Sequence, residues 1–200
     1  MKVALGRAAM RETTRRSERG FTLIELLIVI MIIAILSAIS APAILRYMRT
    51  YRIRAASEQV KSELQTARLR AISRNAGRGV FLAVLDDRRY QFVLVPNNAA
   101  AAQDFAVLQG AADAGRPREL PQGVTFDDAG GTNAAIGFTN LGSMCLGAPC
   151  ATLVNLPGTN YITIAGGLAT FNLQQQGSGL RRRVTVTTGG RIAAPLQSGS

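Results

Sequence analysis

Residues Leu26 to Ile39 are apolar except for Ser37, and the apolar run as a whole extends from Phe21 to about Leu45. As a helix rising 1.5 Å per residue it covers roughly 37 Å, more than the ~30 Å hydrocarbon core of a bilayer. A run this long is a membrane span rather than the buried strand or helix of a small domain. One carboxylate, Glu25, stands at its start. An ionised side chain costs roughly 2.5 kcal/mol or more at the bilayer centre, so an acid in a span is a functional residue by default. The flanking charge leaves the topology open. Arg7, Arg11, Arg15, Arg16 and Arg19 precede the run, but Arg46, Arg49, Arg52 and Arg54 follow it. The positive-inside rule therefore favours a cytoplasmic N-terminus only weakly.

Helical periodicity continues beyond the span. Ala56, Val60, Leu64, Ala67 and Ala71 recur at spacings of four, four, three and four, a single apolar stripe with Arg54, Glu58, Lys61, Arg68 and Arg70 elsewhere on the surface. Pro42 falls inside this helical text, where its missing N–H is expected to bend or locally melt the helix rather than end it. The helix is expected to stop near Asn75-Ala76-Gly77, with the glycine as its C-terminal cap. The reading is one helix of about 80 Å from Phe21 to Asn75, lipid-facing in its first half and packed on a domain in its second.

After Gly77 the pattern becomes β. Residues 78–85 and 90–95 are apolar runs joined by Asp86-Asp87-Arg88-Arg89, which reads as a hairpin. Residues 97–116 show no sustained period and read as a surface loop. Short strands are expected at 124–126, 136–138, 152–156, 161–165, 169–173 and 182–187. The fold class is α+β, with the N-terminal helix laid on a mostly antiparallel sheet. The organisation is a basic leader (1–20), a membrane half of the helix (21–45), an amphipathic half (46–76) and a β-rich globular domain (77–200).

The junction Gly20-Phe21-Thr22-Leu23-Ile24-Glu25, between a basic leader and the apolar run, resembles the cleavage and methylation site of type IV prepilins and of type II secretion pseudopilins. The resemblance implies a pilin-like fold with a long spine helix. It implies cutting by a prepilin peptidase between Gly20 and Phe21, then N-methylation of the new Phe21 amine. Glu25 would be the family's assembly acid, meeting the Phe21 amine of a neighbouring pilin or pseudopilin subunit. Pro42 falls where the family commonly places a helix-breaking proline. It also implies a leader inside the cell, an anchor in inner-membrane lipid and a periplasmic C-terminal domain.

The stretch Leu180-Arg181-Arg182-Arg183-Val184-Thr185-Val186-Thr187-Thr188-Gly189-Gly190-Arg191-Ile192 resembles the closing segment of the H-type minor pseudopilins and the related FimT-like minor pilins. Gln65 to Asn75 resembles their helix-to-sheet junction. The function this implies is that of a minor pseudopilin at or near the tip of the type II secretion pseudopilus, supporting protein secretion and touching secreted cargo. The alternative is a FimT-like type IV minor pilin that binds DNA for uptake. Some relatives do so with a glycine–arginine–x–arginine turn; here Gly190-Arg191-Ile192-Ala193 keeps the first arginine and has alanine for the second. Arg181, Arg183 and Arg191 are therefore candidates for contact with DNA or an acidic partner, against the plainer reading of a solvated basic strand edge. A hairpin is expected to return Arg191 beside Arg181 or Arg183, and alternation puts Arg182 on the opposite face.

Charge and composition narrow the chemistry. The formal net charge is +11, and the leader contributes six cations against two acids, leaving +7 for the rest. Histidine is absent, which removes the commonest general base and metal ligand, so no enzyme activity, metal or cofactor is expected. Asp86-Asp87 and Asp127-Asp128 lie in turn-like text and read as solvated loops. Cys145 and Cys150 bracket Leu-Gly-Ala-Pro, a spacing unlike a C-x-x-C redox pair. In an oxidising compartment they suit a structural disulfide, the alternative being two reduced thiols.

Overall fold

The computed structural model describes residues 21–111, 114–128, 130–145, 150–157 and 161–194. The leader, including Gly20, lies outside the described residues. The chain divides into two compact units between Ile44 and Leu45. Helix α1 runs from Leu23 to Ser73, and residues on both sides of Pro42 are helical without interruption.

In the first unit every described residue is exposed, including Leu26, Ile28, Ile30, Ile33 and Leu36. An apolar helix with no protein around it needs an apolar surrounding, and its hydropathy and length meet the demands of a membrane span.

In the second unit the amphipathic half of α1 lies on a β domain. Ala56, Val60, Leu64, Ala67 and Ala71, the whole expected stripe, are fully buried, joined by Ile53 one turn earlier. The three alanines let the helix backbone approach the sheet closely, while Val60 and Leu64 supply bulk. The helix stops with Asn75, not Gly77, in the left-handed region (φ 47°). Ala76 N donates to Ala71 O and Asn75 N to Ile72 O, which makes a Schellman cap with asparagine in the usual glycine place. Asn97 holds this corner, accepting from Gly77 N and donating to Asn75 O.

The expected hairpin is present as β1 (Val80–Val84) and β2 (Arg89–Leu94), paired from Val80↔Leu94 to Val84↔Tyr90. Its turn is built by Asp86, whose Oδ1 accepts from the backbone N–H groups of Arg88 and Arg89 and whose Oδ2 accepts from Arg89 Nε. With β4 (Arg118–Glu119), β6 (Ala135–Phe138) and β7 (Met144–Cys145), these strands form a sheet in the order β4-β2-β1-β6-β7. Strand β1 is buried along its whole length because both faces of this sheet are covered. Val80, Leu82 and Val84 meet the α1 side, while Phe81 and Ala83 belong to a second core with Phe105, Leu108, Cys145 and Cys150.

The α+β class is as expected, with the helix on mostly antiparallel strands that divide between sheets. Among the described residues, β5 (Val124–Phe126), β10 (Leu168–Gln175), β11 (Arg181–Thr187) and β12 (Ile192–Ala193) form a second sheet in the order β12-β11-β10-β5, with β9 (Ile162–Ala165) also on β10. Its inward residues Ala169, Phe171, Leu173, Val184 and Val186 share the α1 core. The expectation of a surface loop at 97–116 is corrected. These residues contain β3 (Ala102–Asp104), which pairs in parallel with β8 (Thr152–Val154), and the short helix α2 (Phe105–Gln109). Asp104 caps α2 by accepting from Ala106 N, and Phe105 and Leu108 close the second core.

Candidate functional site

Three groups of residues carry the functional expectations. At the N-terminal motif, Phe21 is 76% exposed and Glu25 lies in the first turn of α1. The Thr22 hydroxyl accepts from Glu25 N at 3.2 Å, so Thr22 caps the helix. Thr22-x-x-Glu25 is thus the S/T-x-x-E pattern of a helix start as well as part of the processing motif. An acid in the first turn also complements the helix dipole. Sequence reasoning assigned Glu25 a role and passed over Thr22, although the capping spacing was visible.

A family model, the prokaryotic N-terminal methylation motif, matches residues 15–41. The N-terminal segment is type IV prepilin-like. The prepilin motif implies processing by prepilin peptidase and assembly with pilin-like subunits, and together with the apolar helix it fits a protein anchored in the inner membrane. Comparison with curated proteins and with solved structures gave no match.

The arginine strand is arranged differently from the expectation. Alternation holds: Arg181 and Arg183 are exposed and Arg182 is turned inward, 9% exposed. Arg191 does not return beside them. The hairpin is tight, pairing Val186 with Ile192 and Thr185 with Ala193, which leaves Arg191 opposite Thr187. Arg183, four residues back along β11, is about 13 Å away at ~3.3 Å per residue. Arg181 has a carboxylate partner, Asp127, with N···O 3.4 Å. The chain of contacts around the turn concerns Gly190 rather than Arg191. Gly190 (φ +76°) backs onto the carbonyl of Gly142, which in turn accepts from Arg68 Nε of α1 at 2.9 Å. The glycine–arginine turn therefore locks the second sheet to the spine helix.

Cys145 and Cys150 are joined in a disulfide, and both are buried in the second core. Residues 146–149 between them lie outside the described residues. The bridge ties β7 to the segment leading into β8.

A polar clasp that sequence reasoning missed holds α1 to the first sheet. Gln59 Nε2 donates to the Tyr90 hydroxyl at 2.7 Å and to Glu119 O at 3.0 Å, and Glu63 pairs with Arg118. Burial pushes the Tyr90 hydroxyl above its ordinary pKa. Gln59 and Glu63 are four apart on the helix, the only hint the sequence offered.

Proposed function

We propose that this protein is a minor pseudopilin of type II secretion, a structural subunit of the pseudopilus rather than an enzyme. The observation that carries the reading is the methylation motif at the head of a helix whose first half has no protein cover and whose second half is the spine of a β domain. The precursor is cut between Gly20 and Phe21 and waits in the inner membrane with its domain in the periplasm. It then enters the filament as Glu25 meets the amine of another subunit's Phe21. That meeting removes an unpaired charge from hydrocarbon, so it drives assembly without contributing to domain folding. The H-type position, at or near the tip, rests on the resemblance of residues 180–192 and 65–75.

The DNA-uptake reading has less support. Its three candidate arginines do not gather, and Arg181 already has Asp127. The deciding experiment deletes the gene and measures secreted cargo in the medium alongside the frequency of DNA uptake. Cargo held in the periplasm with uptake unchanged is expected; lost uptake with normal secretion would overturn the secretion role. Complementation by Glu25→Ala should leave cleavage at Gly20 intact while removing the protein from sheared filaments. An uncleaved precursor in that strain would sink the assembly role given to Glu25.

A further inference from the structure

We propose that residues 46–54 of α1 form a collar that binds the anionic headgroups of a phospholipid bilayer. Nine residues here hold Arg46, Arg49, Arg52 and Arg54 together with Tyr47 and Tyr51, and no acid occurs between Glu25 and Glu58. Residues 46–51 are all exposed, Arg52 is half-buried, and protein packing begins only at Ile53. Tyr47 and Tyr51 stack on each other with ring centroids 6.5 Å apart.

The distribution around the helix identifies the partner. At 3.6 residues per turn the four arginines cover about 200° of the circumference and the two tyrosines fall in the remaining sector. A surface that meets one protein neighbour is a one-sided stripe, as residues 56–71 show. A collar charged and aromatic all round fits a partner that surrounds the helix. Height agrees with this. The apolar run from Phe21 covers roughly 37 Å, which uses up the ~30 Å of hydrocarbon and brings Arg46 and Tyr47 into the headgroup layer. Tyrosine rings favour that layer, and arginines farther along reach back to it with their long side chains. Anionic headgroups then supply the counter-charge.

The inference rests on the anchored reading of the apolar helix, and adds what holds its distal end. Cationic flanks on both sides of a span weaken the usual charge asymmetry, and bound lipid phosphate offsets that on the domain side. Such lipids must also be shed when the subunit leaves the bilayer for a filament, so the collar sets a threshold for extraction.

The test uses the full chain reconstituted into phosphatidylcholine vesicles containing about one-fifth phosphatidylglycerol, a composition that gives a negative surface potential. Electron spin resonance of spin-labelled phosphatidylglycerol and phosphatidylcholine measures which lipid the protein immobilises. A preference of about threefold for the anionic label is expected, falling towards one at high salt as the Debye length shrinks. Changing all four arginines to Gln should abolish the preference, and changing them to Lys should retain it. Equal immobilisation of both labels by an integrated wild-type chain overturns the collar alone, as does a preference that survives the Gln changes. Release of the wild-type chain from vesicles by alkaline carbonate overturns the anchored reading and the collar with it.

Discussion

Two adjacent glycines separate a requirement from a convenience. Gly190 has φ +76°, and a Cβ there would stand 1.9 Å from the Gly142 carbonyl oxygen, with Arg68 Nε at 3.0 Å. Neither neighbour yields easily, because the carbonyl is backbone and Arg68 is bonded to it. Gly189 has ordinary backbone and nothing within 4 Å of an added Cβ. Gly190→Ala should therefore cost roughly 2–4 kcal/mol, the sum of a left-handed backbone penalty and overpacking. Gly189→Ala should stay within about 0.5 kcal/mol. Urea unfolding of a domain beginning at Arg46 measures both, and equal losses would refute the close approach. The same comparison bears on the arginine beside them. A glycine–arginine pair that resembles a binding motif is accounted for, at its glycine, by the packing of two turns against α1.

Elements of this chain are held together by one apolar and one polar device on the same helix. Leu64 is fully buried between α1 and the sheets, and Leu64→Ala should cost about 2–5 kcal/mol. Tyr90 reports on the polar device, since its ring is fully buried and its hydroxyl accepts from Gln59. Its pKa is raised by burial, with the Gln59 hydrogen bond opposing. The folded state thus keeps a proton that the unfolded chain gives up near pH 10. Stability from this group is complete below that pH and is lost as pH rises through the folded value. Tyr90→Phe should cost about 1 kcal/mol at pH 7 and make the decline above pH 10 shallower; an unchanged alkaline slope would show that Tyr90 does not set it. How far such elements could be read beforehand depended on periodicity. The α1 stripe and the β1–β2 hairpin were legible because burial on one helix face, or strong β character around a turn, leaves a regular mark. Residues 97–116 left none, since β3 and α2 are three and five residues long and are ordered by partners distant in sequence, β8 and the second core. The division into two sheets was hidden for the same reason, because alternation tells which face a residue is on but not which sheet its strand joins. Arg191 was misplaced because the hairpin pairs right up to its turn, Val186 with Ile192, which sets Arg191 opposite Thr187 and four residues short of Arg183. At the N-terminus, by contrast, the motif itself was legible, because a processing signal is local in sequence and needs no fold.

Among the described residues the domain has two cores with one sheet between them, and this arrangement predicts how it comes apart. The α1 core joins the spine helix, the inner side of the first sheet and the second sheet. The other core gathers Phe81, Val93, Phe105, Leu108 and the Cys145–Cys150 bridge on the opposite side of the first sheet. Its cover consists of short pieces, β3, α2 and β8, which cannot hold themselves in place without a tether. The disulfide closes a loop spanning five sequence steps, and the entropy it removes from the unfolded chain corresponds to about 2 kcal/mol. Reduction should therefore lower the unfolding free energy by about that amount without unfolding the domain. The loss should also be uneven. Amide hydrogen exchange should accelerate at Phe105 to Gln109 and around Thr152 to Val154, while amides of α1 from Val60 to Ala71 stay protected up to the global limit. The secretion reading gives this a consequence in the cell, since a subunit exported into a reducing environment would keep its spine and lose the outer face of its first sheet. Uniform acceleration across both cores on reduction would contradict the division, showing that the bridge supports the domain as one cooperative unit.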